Sequence, residues 1–283
     1  MTANPSKDYA SDLELLRSSA VGAGIIAAGY FRREIKTWTK DNSSPVTEAD
    51  FLVDQFLSQT LCAARPDYGW LSEETADDLV RLEKSRVFIV DPIDGTRAFL
   101  KGDDCWTISL AVVEDGIPVA GVVYAPARDE LYEACLGGGA FLNKMAFNKR
   151  EQAAGKPVIP GPDAVHKELQ SAGLEYIRGP GFPSLAYRLV QVATGVIDVA
   201  VARRGAQDWD IAGAAVILNE CGIALDDVCS PDLMFNKPEI RHSALAALSD
   251  ISLRSSVHDA LRRVYGCPTE EAIDDNKPEQ QSK

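Results

Sequence analysis

The stretch that decides the fold reads Arg86-Val87-Phe88-Ile89-Val90-Asp91-Pro92-Ile93-Asp94-Gly95-Thr96. Its first five residues form a short, mostly apolar run after a cluster of charges, which predicts a buried strand that ends at Pro92. Asp91 and Asp94 leave this strand through a bend. Pro92 fixes φ in that bend, and Gly95 permits an unusual turn after it. We therefore expect both carboxylates to converge on one point at the carboxyl end of the strand.

Thr96 follows at the predicted start of a helix, where free backbone N–H groups attract an anion. Metal-assisted phosphoryl chemistry requires carboxylates for a hard cation beside amides for a phosphate. A surface turn is the alternative, because Asp, Pro and Gly are all common in turns. The buried strand that precedes the motif favours the functional interpretation.

Acidic residues elsewhere in the chain are candidates to complete such a site. Glu73 and Glu74 lie in a polar stretch before the strand. Asp210 stands at the start of a later helix, and Asp50 is the last residue of the capping-box pattern Thr47-Glu48-Ala49-Asp50. Taken singly, these acids are a solvated pair, a helix N-cap and a capping acid. Their combination with the motif after the strand points to a shared site.

The N-terminal half has the pattern of an α+β unit. Apolar residues from Leu13 to Phe31 recur at helical spacing, and the capping box opens a second helix that stops at Pro66. Thr107–Val113 and Ile117–Tyr124 are β-rich runs separated by Glu114-Asp115-Gly116, which predicts a hairpin. Helices followed by an antiparallel meander indicate the α+β class.

The C-terminal half alternates helical and extended segments, which indicates the α/β class. We expect an N-terminal subdomain over residues 1–148 with most of the metal ligands, and a C-terminal subdomain over residues 149–267 that completes the site in the cleft between them. The predicted helices are Ser184–Ala193, Ile211–Cys221 and Leu253–Tyr265, and the extended segments are Val196–Ala202, Ile223–Leu225 and Ala244–Leu248.

Charge and composition limit the classes of partner. Lys and Arg number 29 against 42 Asp and Glu, so the formal net charge of the 283 residues is −13. This balance argues against nucleic acid as a partner, although a bound metal can reverse the local field for a small phosphorylated ligand. Five acids, two lysines and few apolar residues in 268–283 predict a disordered acidic tail.

The cysteines and the N-terminus predict a cytoplasmic protein. None of the six cysteines stands in a C-x-x-C pattern and there are only three histidines, so we expect reduced thiols and no zinc site. The N-terminus lacks a basic-then-apolar signal pattern. The longest charge-free stretch is too short and too rich in glycine to span a bilayer, so we expect no membrane partner.

Four motifs in order resemble the inositol monophosphatase superfamily, which includes the 3′(2′),5′-bisphosphate nucleotidases. The resemblance implies a layered α-β-α-β-α sandwich, dependence on two or three Mg²⁺ ions, inhibition by lithium and a homodimer. The expected activity is hydrolysis of a small phosphorylated metabolite by metal-activated water. The motifs are Ser44-Pro45-Val46-Thr47-Glu48-Ala49-Asp50, Leu71-Ser72-Glu73-Glu74-Thr75, Asp91-Pro92-Ile93-Asp94-Gly95-Thr96 and Trp209-Asp210-Ile211-Ala212-Gly213.

The resemblance also implies a role for each matched residue. Gly95 and Thr96 would bind the phosphate through their amides. Asp50 and the Thr96 hydroxyl would orient the attacking water, and Glu73 is grouped with them as catalytic. Buried acids need cations to stay ionised together, which agrees with a metal site. The implied metal ligands are the side chains of Glu73, Asp91, Asp94 and Asp210 and the backbone carbonyl of Ile93.

Other functional classes fit the sequence less well. Haloacid-dehalogenase phosphatases use D-x-D, whereas two residues separate Asp91 from Asp94, and the chain has no G-x-x-x-x-G-K-[ST] loop. His166, His242 and His258 form no evident triad, and we expect them to be surface or structural. A non-catalytic regulator that keeps the fold is a further alternative, but all the matched ligands are present.

The substrate stays open between an inositol monophosphate-like compound and adenosine 3′,5′-bisphosphate. Inositol-specific members place a Glu seven residues before the Asp of the tryptophan motif, and that position is Arg203 here. Arg203 and Arg204 favour a second anion over a neutral polyol, as in a bisphosphate nucleotidase. The Gly-Ser-Ser-Leu-Lys segment of those nucleotidases corresponds only to Pro183-Ser184-Leu185-Ala186-Tyr187, without the lysine.

Overall fold

The computed structural model describes residues 6–40, 45–148 and 155–267. The helices are α1 (Ser6–Tyr30), α2 (Glu48–Ala64), α3 (Thr96–Lys101), α4 (Asp163–Ser171), α5 (Leu185–Thr194), α6 (Asp208–Glu220) and α7 (Arg254–Tyr265). The strands are β1 (Thr37–Thr39), β2 (Pro45–Thr47), β3 (Gly69–Ser72), β4 (Arg86–Asp94), β5 (Thr107–Glu114), β6 (Ile117–Ala125), β7 (Glu130–Cys135), β8 (Gly139–Leu142), β9 (Met145–Phe147), β10 (Val158–Ile159), β11 (Ile177–Arg178), β12 (Val199–Ala202), β13 (Ala224–Asp227) and β14 (Leu245–Leu248).

Two sheets organise the molecule. The larger sheet has the order β3-β4-β5-β6-β7-β8-β9, in which β3 and β4 are parallel and every later pair is antiparallel. The smaller sheet has the order β12-β14-β13 and is antiparallel. Short pairs β1-β2 and β10-β11 lie outside them. The predicted hairpin between β5 and β6 is confirmed.

The elements stack in five layers, which confirms the predicted α-β-α-β-α sandwich. Helices α1 and α2 cover one face of the larger sheet, and α5 and α6 pack between its other face and the smaller sheet. Helices α4 and α7 cover the outer face of the smaller sheet. Strand β5 is buried along nearly its whole length because helices cover both faces of the sheet. A strand that is buried on both faces requires a continuous run of apolar residues, as β5 has.

The middle layer belongs to both halves of the sequence. One continuous apolar core contains residues of the larger sheet, such as Leu71 and Val123, together with residues of α5, α6 and the smaller sheet. The division into subdomains at 148/149 stays a prediction. Residues 149–154 at that boundary and the predicted acidic tail 268–283 lie outside the described residues.

Strand β4 does not end at Pro92, so that prediction is wrong. The strand continues to Asp94, with Asp91 opposite Ser109 and Asp94 opposite Thr107 on β5. Two residues on β4 therefore face one on β5, which is a bulge. A bulge interrupts the ladder of hydrogen bonds, so the missing N–H of proline costs nothing there.

The prediction that all six cysteines are reduced is wrong for one pair. Cys229 and Cys267 form a disulfide, with their Cα atoms 5.5 Å apart. One follows β13 and the other follows α7, and 38 residues of sequence separate them. Only the packing of the outer layers brings the two cysteines together, so their spacing in the sequence could not predict the disulfide. The other four cysteines are reduced.

No helix in the described part of the chain has the length and apolar character that crossing a bilayer requires.

Helix α6 lies unusually close to the larger sheet because glycines face each other across the contact. A Cβ atom on Gly213 would lie 2.9 Å from the carbonyl oxygen of Val122 and 3.0 Å from that of Leu110. A Cβ atom on Gly121 of β6 would lie 2.4 Å from the carbonyl oxygen of Gly213. The obstacle is backbone on both sides, so a side chain at either position must push helix and sheet apart.

We expect Gly213→Ala to lower the free energy of unfolding by about 1–3 kcal/mol, the usual cost of overpacking, despite the better helix propensity of alanine. Denaturant unfolding followed by circular dichroism measures it. The matched control is Gly29→Ala on α1, where nothing lies within 4 Å of the added Cβ atom. That variant should be as stable as the parent or more stable. Equal stability of both variants would contradict the close contact.

Candidate active site

The site lies where β3 and β4 end. Because these strands are parallel, their carboxyl ends share one edge of the sheet, and Glu73 follows β3 directly. The first turn of α6 meets the same edge and carries Asp210. Asp91, Asp94 and Asp210 each bring one carboxylate oxygen to within 4.8 Å of the other two. The predicted convergence of Asp91 and Asp94 is therefore present, and Asp210 joins them.

Each of the three carboxylates is held by a hydrogen bond from the fold. Asp94 Oδ2 accepts hydrogen bonds from Ser184 Oγ at 2.5 Å and from the backbone N of Ala186 at 2.7 Å, both at the start of α5. Asp91 Oδ1 accepts from the backbone N of Ile93 at 3.0 Å. Asp210 Oδ2 accepts from the backbone N of Gln207 at 2.7 Å. The ligand atoms are thus positioned before any cation arrives.

The surroundings of the three acids disfavour their ionised forms. Burial raises the pKa of Asp91 well above the ordinary aspartate range, and the charges of Glu73 and Asp94 raise it further. Burial also raises the pKa of Asp94, against the hydrogen bonds from α5, and burial with the charge of Asp94 raises the pKa of Asp210. An all-oxygen donor set with two buried members and one half-buried member fits a hard cation such as Mg²⁺.

Glu73 lies on the wall of the same cavity, whose volume is about 480 Å³. Its carboxylate is paired with Lys40, with Nζ 3.0 Å from Oε1. The same ammonium lies 2.8 Å from Oε1 of Glu74, whose pKa burial raises to about 7 against the attraction of Lys40. Lys40 therefore links both acids of the Glu73-Glu74 pair at the rim of the site.

The segment after β4 faces the cavity with its backbone. Gly95 has a φ of +94°, which a residue with a side chain rarely adopts, and it caps α3. The Thr96 hydroxyl lies 3.1 Å from the carbonyl oxygen of Ile93 and 3.4 Å from Asp50 Oδ1. Ile93, Gly95 and Thr96 all line the cavity.

Asp50 closes the capping box of α2 and also faces Thr96. Its Oδ2 accepts hydrogen bonds from the backbone N of Thr47 at 2.8 Å and from Thr47 Oγ1 at 2.6 Å, which completes the capping box of α2. Its other oxygen faces Thr96. Burial raises the pKa of Asp50 to about 6, although the bonds from Thr47 oppose that rise.

A second cavity of about 240 Å³ adjoins the first, and Pro183 and Asp210 line both. Arg203 and Arg204 are both exposed, and of the two only Arg203 lines this second cavity. The structure therefore brings Arg203 beside the acids and leaves Arg204 outside.

Sequence reasoning missed Lys40, Ser184 and Arg188. Arg188 lines the second cavity, and its Nε is buried without a hydrogen-bond partner among the described residues. Burial lowers the pKa of Arg188, and the charge of Asp94 opposes that shift. A signal existed, because Arg188 directly follows the 183–187 segment in which the nucleotidase lysine was sought. Lys40 carried no such signal.

Comparisons with known proteins agree with this geometry. The model of the inositol monophosphatase family matches residues 8–254. A 3′(2′),5′-bisphosphate nucleotidase CysQ from Aggregatibacter actinomycetemcomitans is 30% identical over 74% of this chain and 82% of its own. A histidinol-phosphatase from Chlorobaculum parvum is 33% identical over 75% and 83%. A solved IMPase structure from Thermotoga maritima superposes with a TM-score of 0.77 at 25% identity, covering 90% of this chain and 98% of that one.

The raised pKa values predict that metal-free protein loses stability as pH rises. Asp50 and Glu74 move from 3.8 and 4.5 to about 6 and about 7, and Asp91, Asp94 and Asp210 shift in the same direction. Between the unfolded and folded values the folded state binds more protons, so its stabilisation is full below the unfolded pKa and is lost as pH rises through the folded pKa. The melting temperature in EDTA should fall between about pH 4.5 and pH 7.5.

Saturating Mg²⁺ should reduce that fall, because a cation favours the ionised ligands. The control is Asp91→Asn combined with Asp210→Asn, whose melting temperature in EDTA should vary less with pH. A melting temperature that rises over this range in EDTA would contradict the prediction.

Proposed function

This chain belongs to the inositol monophosphatase family and is a phosphoric monoester hydrolase, and from that premise we propose that it uses Mg²⁺ and an activated water to cleave a small phosphomonoester. One observation carries the proposal: Asp91, Asp94 and Asp210 each bring one carboxylate oxygen to within 4.8 Å of the other two, in a cavity that Gly95 and Thr96 also line.

The proposed ligands are oxygen atoms throughout, as Mg²⁺ prefers. When bound, two or three Mg²⁺ ions would neutralise phosphate oxygens and lower the pKa of water. Inhibition by lithium belongs to the same proposal. The residues that would hold the metal are Glu73, Asp91, Asp94 and Asp210 through their carboxylates and Ile93 through its carbonyl.

The segment after β4 would position both reactants. The amides of Gly95 and Thr96 would donate hydrogen bonds to the phosphate, since both residues line the cavity. The Thr96 hydroxyl would donate to Asp50 Oδ1 and accept a hydrogen bond from the attacking water, which fixes the orientation of that water. Glu73 would act with them from the cavity wall. A phosphate on the amides and a water on Thr96 would then lie side by side.

Asp94→Asn should remove nearly all Mg²⁺-dependent activity and leave the fold intact, because it takes one anionic ligand from the site. In EDTA the variant should melt at a higher temperature than the parent, since a buried charge is gone. Phosphate release and thermal unfolding are the measurements. Asp115→Asn is the matched control, because Asp115 is exposed in a hairpin where asparagine tolerates the φ of 49°. Retention of most of the rate in Asp94→Asn would refute the metal assignment.

The substrate we propose carries a second anionic group. Arg188 and Arg203 line the cavity that adjoins the acids at Asp210, and the Nε of Arg188 is buried without a partner among the described residues. Guanidinium groups there would pair with a second phosphate. Adenosine 3′,5′-bisphosphate has one, whereas histidinol phosphate offers an ammonium group, which two arginines would repel.

A substrate panel on one preparation tests the activity and the substrate together. It comprises inositol 1-phosphate, adenosine 3′,5′-bisphosphate, fructose 1,6-bisphosphate and histidinol phosphate, each with and without Mg²⁺. Hydrolysis of none would favour the alternative of a non-catalytic regulator. A preference for inositol 1-phosphate would favour the inositol-type alternative over the bisphosphate nucleotidase.

Arg203→Glu should lower kcat/KM for adenosine 3′,5′-bisphosphate by roughly 1.5–3 kcal/mol, the range for hydrogen bonds to charged groups. The rate on inositol 1-phosphate should hold or rise, because a carboxylate accepts hydrogen bonds from hydroxyl groups. Arg204→Glu reverses the same charge outside both cavities and is the matched control. An unchanged ratio between the two substrates in Arg203→Glu would remove Arg203 from the substrate site.

A homodimer and a cytoplasmic location complete the proposal. The family resemblance supports the homodimer, and sedimentation would measure it.

A further inference from the structure

A buried aspartate–histidine pair stands directly behind the candidate metal site. His242 Nε2 lies 2.7 Å from Asp208 Oδ1, and both side chains are almost completely buried. Asp208 Oδ2 accepts a second hydrogen bond, at 2.7 Å, from the backbone N of Asn236. Both partners of this carboxylate therefore come from one segment, residues 236–242 of the β13–β14 connection, which we call the strap.

The strap is bound along its length to the residues that lead into α6. The backbone N of His242 donates to the carbonyl oxygen of Ala206 at 2.8 Å, and the N of Gly205 donates to that of His242 at 3.0 Å. The N of Asp208 donates to the carbonyl oxygen of Ile240 at 3.1 Å. These hydrogen bonds from the strap fix the position at which α6 begins.

The far end of the strap is anchored to the connection between β3 and β4. The fully buried Arg81 donates to Asn236 Oδ1 at 2.6 Å and to the carbonyl oxygen of Lys237 at 3.0 Å. Its guanidinium is paired with Asp77 at 2.8 Å. The strap therefore joins the β3–β4 connection, which carries Glu73, to the start of α6, which carries Asp210.

Asp210 depends on this start of α6 for its own orientation. The backbone N of Gln207 holds Asp210 Oδ2 at 2.7 Å, and Gln207 forms a β-bridge with Arg241 of the strap. Asp208 and Asp210 lie in the same helical turn. A displacement of Asp208 therefore moves both the carboxylate of Asp210 and the amide that orients it.

We propose that His242 is a positioning residue for the metal site, which acts through Asp208 to hold the Asp210 carboxylate in place. The inference rests on the proposed Mg²⁺ dependence. The Asp208 side chain is almost completely buried, so without His242 its carboxylate would lose one of its two hydrogen bonds and turn toward another donor. Groups that orient a ligand in this way typically control metal affinity by about 10–100-fold.

The test compares Mg²⁺ affinities, measured by titration calorimetry without substrate. His242→Gln places an amide donor near the position of Nε2, whereas His242→Asn places it near Nδ1, too short to reach Asp208. We expect the Kd for Mg²⁺ to rise about 10–100-fold in His242→Asn and to stay near the parent value in His242→Gln. Equal affinities in the two variants would overturn the inference.

The chain offers a matched control in the outer layer. His258 Nε2 of α7 lies 3.1 Å from Asp226 Oδ2, a second aspartate–histidine contact with no link to residues 205–210. His258→Asn should leave the Kd for Mg²⁺ unchanged. An equal loss of affinity in both asparagine variants would make the effect general destabilisation and overturn the inference. A parent protein that binds no Mg²⁺ would instead overturn the proposed function.

Hydrogen exchange of the parent protein tests the coupling without a substitution. Saturating Mg²⁺ should slow amide exchange in residues 205–210 and in the strap, and leave α7 unchanged. Slower exchange at 205–210 with no change in the strap would overturn the coupling even if the His242 variants do not fold.

Discussion

Electrostatic repulsion among three closely spaced carboxylates is the constraint around which the structure is arranged. Asp91, Asp94 and Asp210 lie within 4.8 Å of one another, in surroundings that raise the pKa of each. Hydrogen bonds from α5, from the bulge in β4 and from the turn before α6 oppose their separation. The glycine contact that brings α6 onto the sheet serves the same end, because it brings Asp210 within reach of the strand.

Asp50 and Asp210 show that a structural and a functional use of one residue are compatible. Each is the third residue of a helix and closes a capping box with the residue before that helix. The cap uses one carboxylate oxygen in each case, Oδ2, and leaves Oδ1 available. A capping role is therefore no alternative to a role in the site, because the capping hydrogen bonds orient the carboxylates of Asp50 and Asp210.

The spacing of residues in the sequence predicted those features that depend only on adjacent residues. The Asp91–Thr96 motif, the β5–β6 hairpin and the capping box each follow from a few adjacent residues, and the structure contains all three. The continuation of β4 past Pro92 depends instead on its partner strand. The Cys229–Cys267 bond and the ion pair of Lys40 with Glu73 depend on packing between distant segments. The family resemblance supplied the five-layer order, which periodicity alone did not.

The hydrogen bond from Ser184 to Asp94 joins residues that are 90 positions apart in the sequence. Asp210 and its donor Gln207 are close in sequence, but both come later in the chain than Ser184. The acids on β4 are translated long before α5 and α6 exist to receive them. Because one apolar core contains residues of the larger sheet and of α5 and α6, the acidic edge gains its supports only after those helices have been synthesised. Because Asp210 is residue 210 of 283, more than two-thirds of the polypeptide must be synthesised before the set of metal ligands is complete.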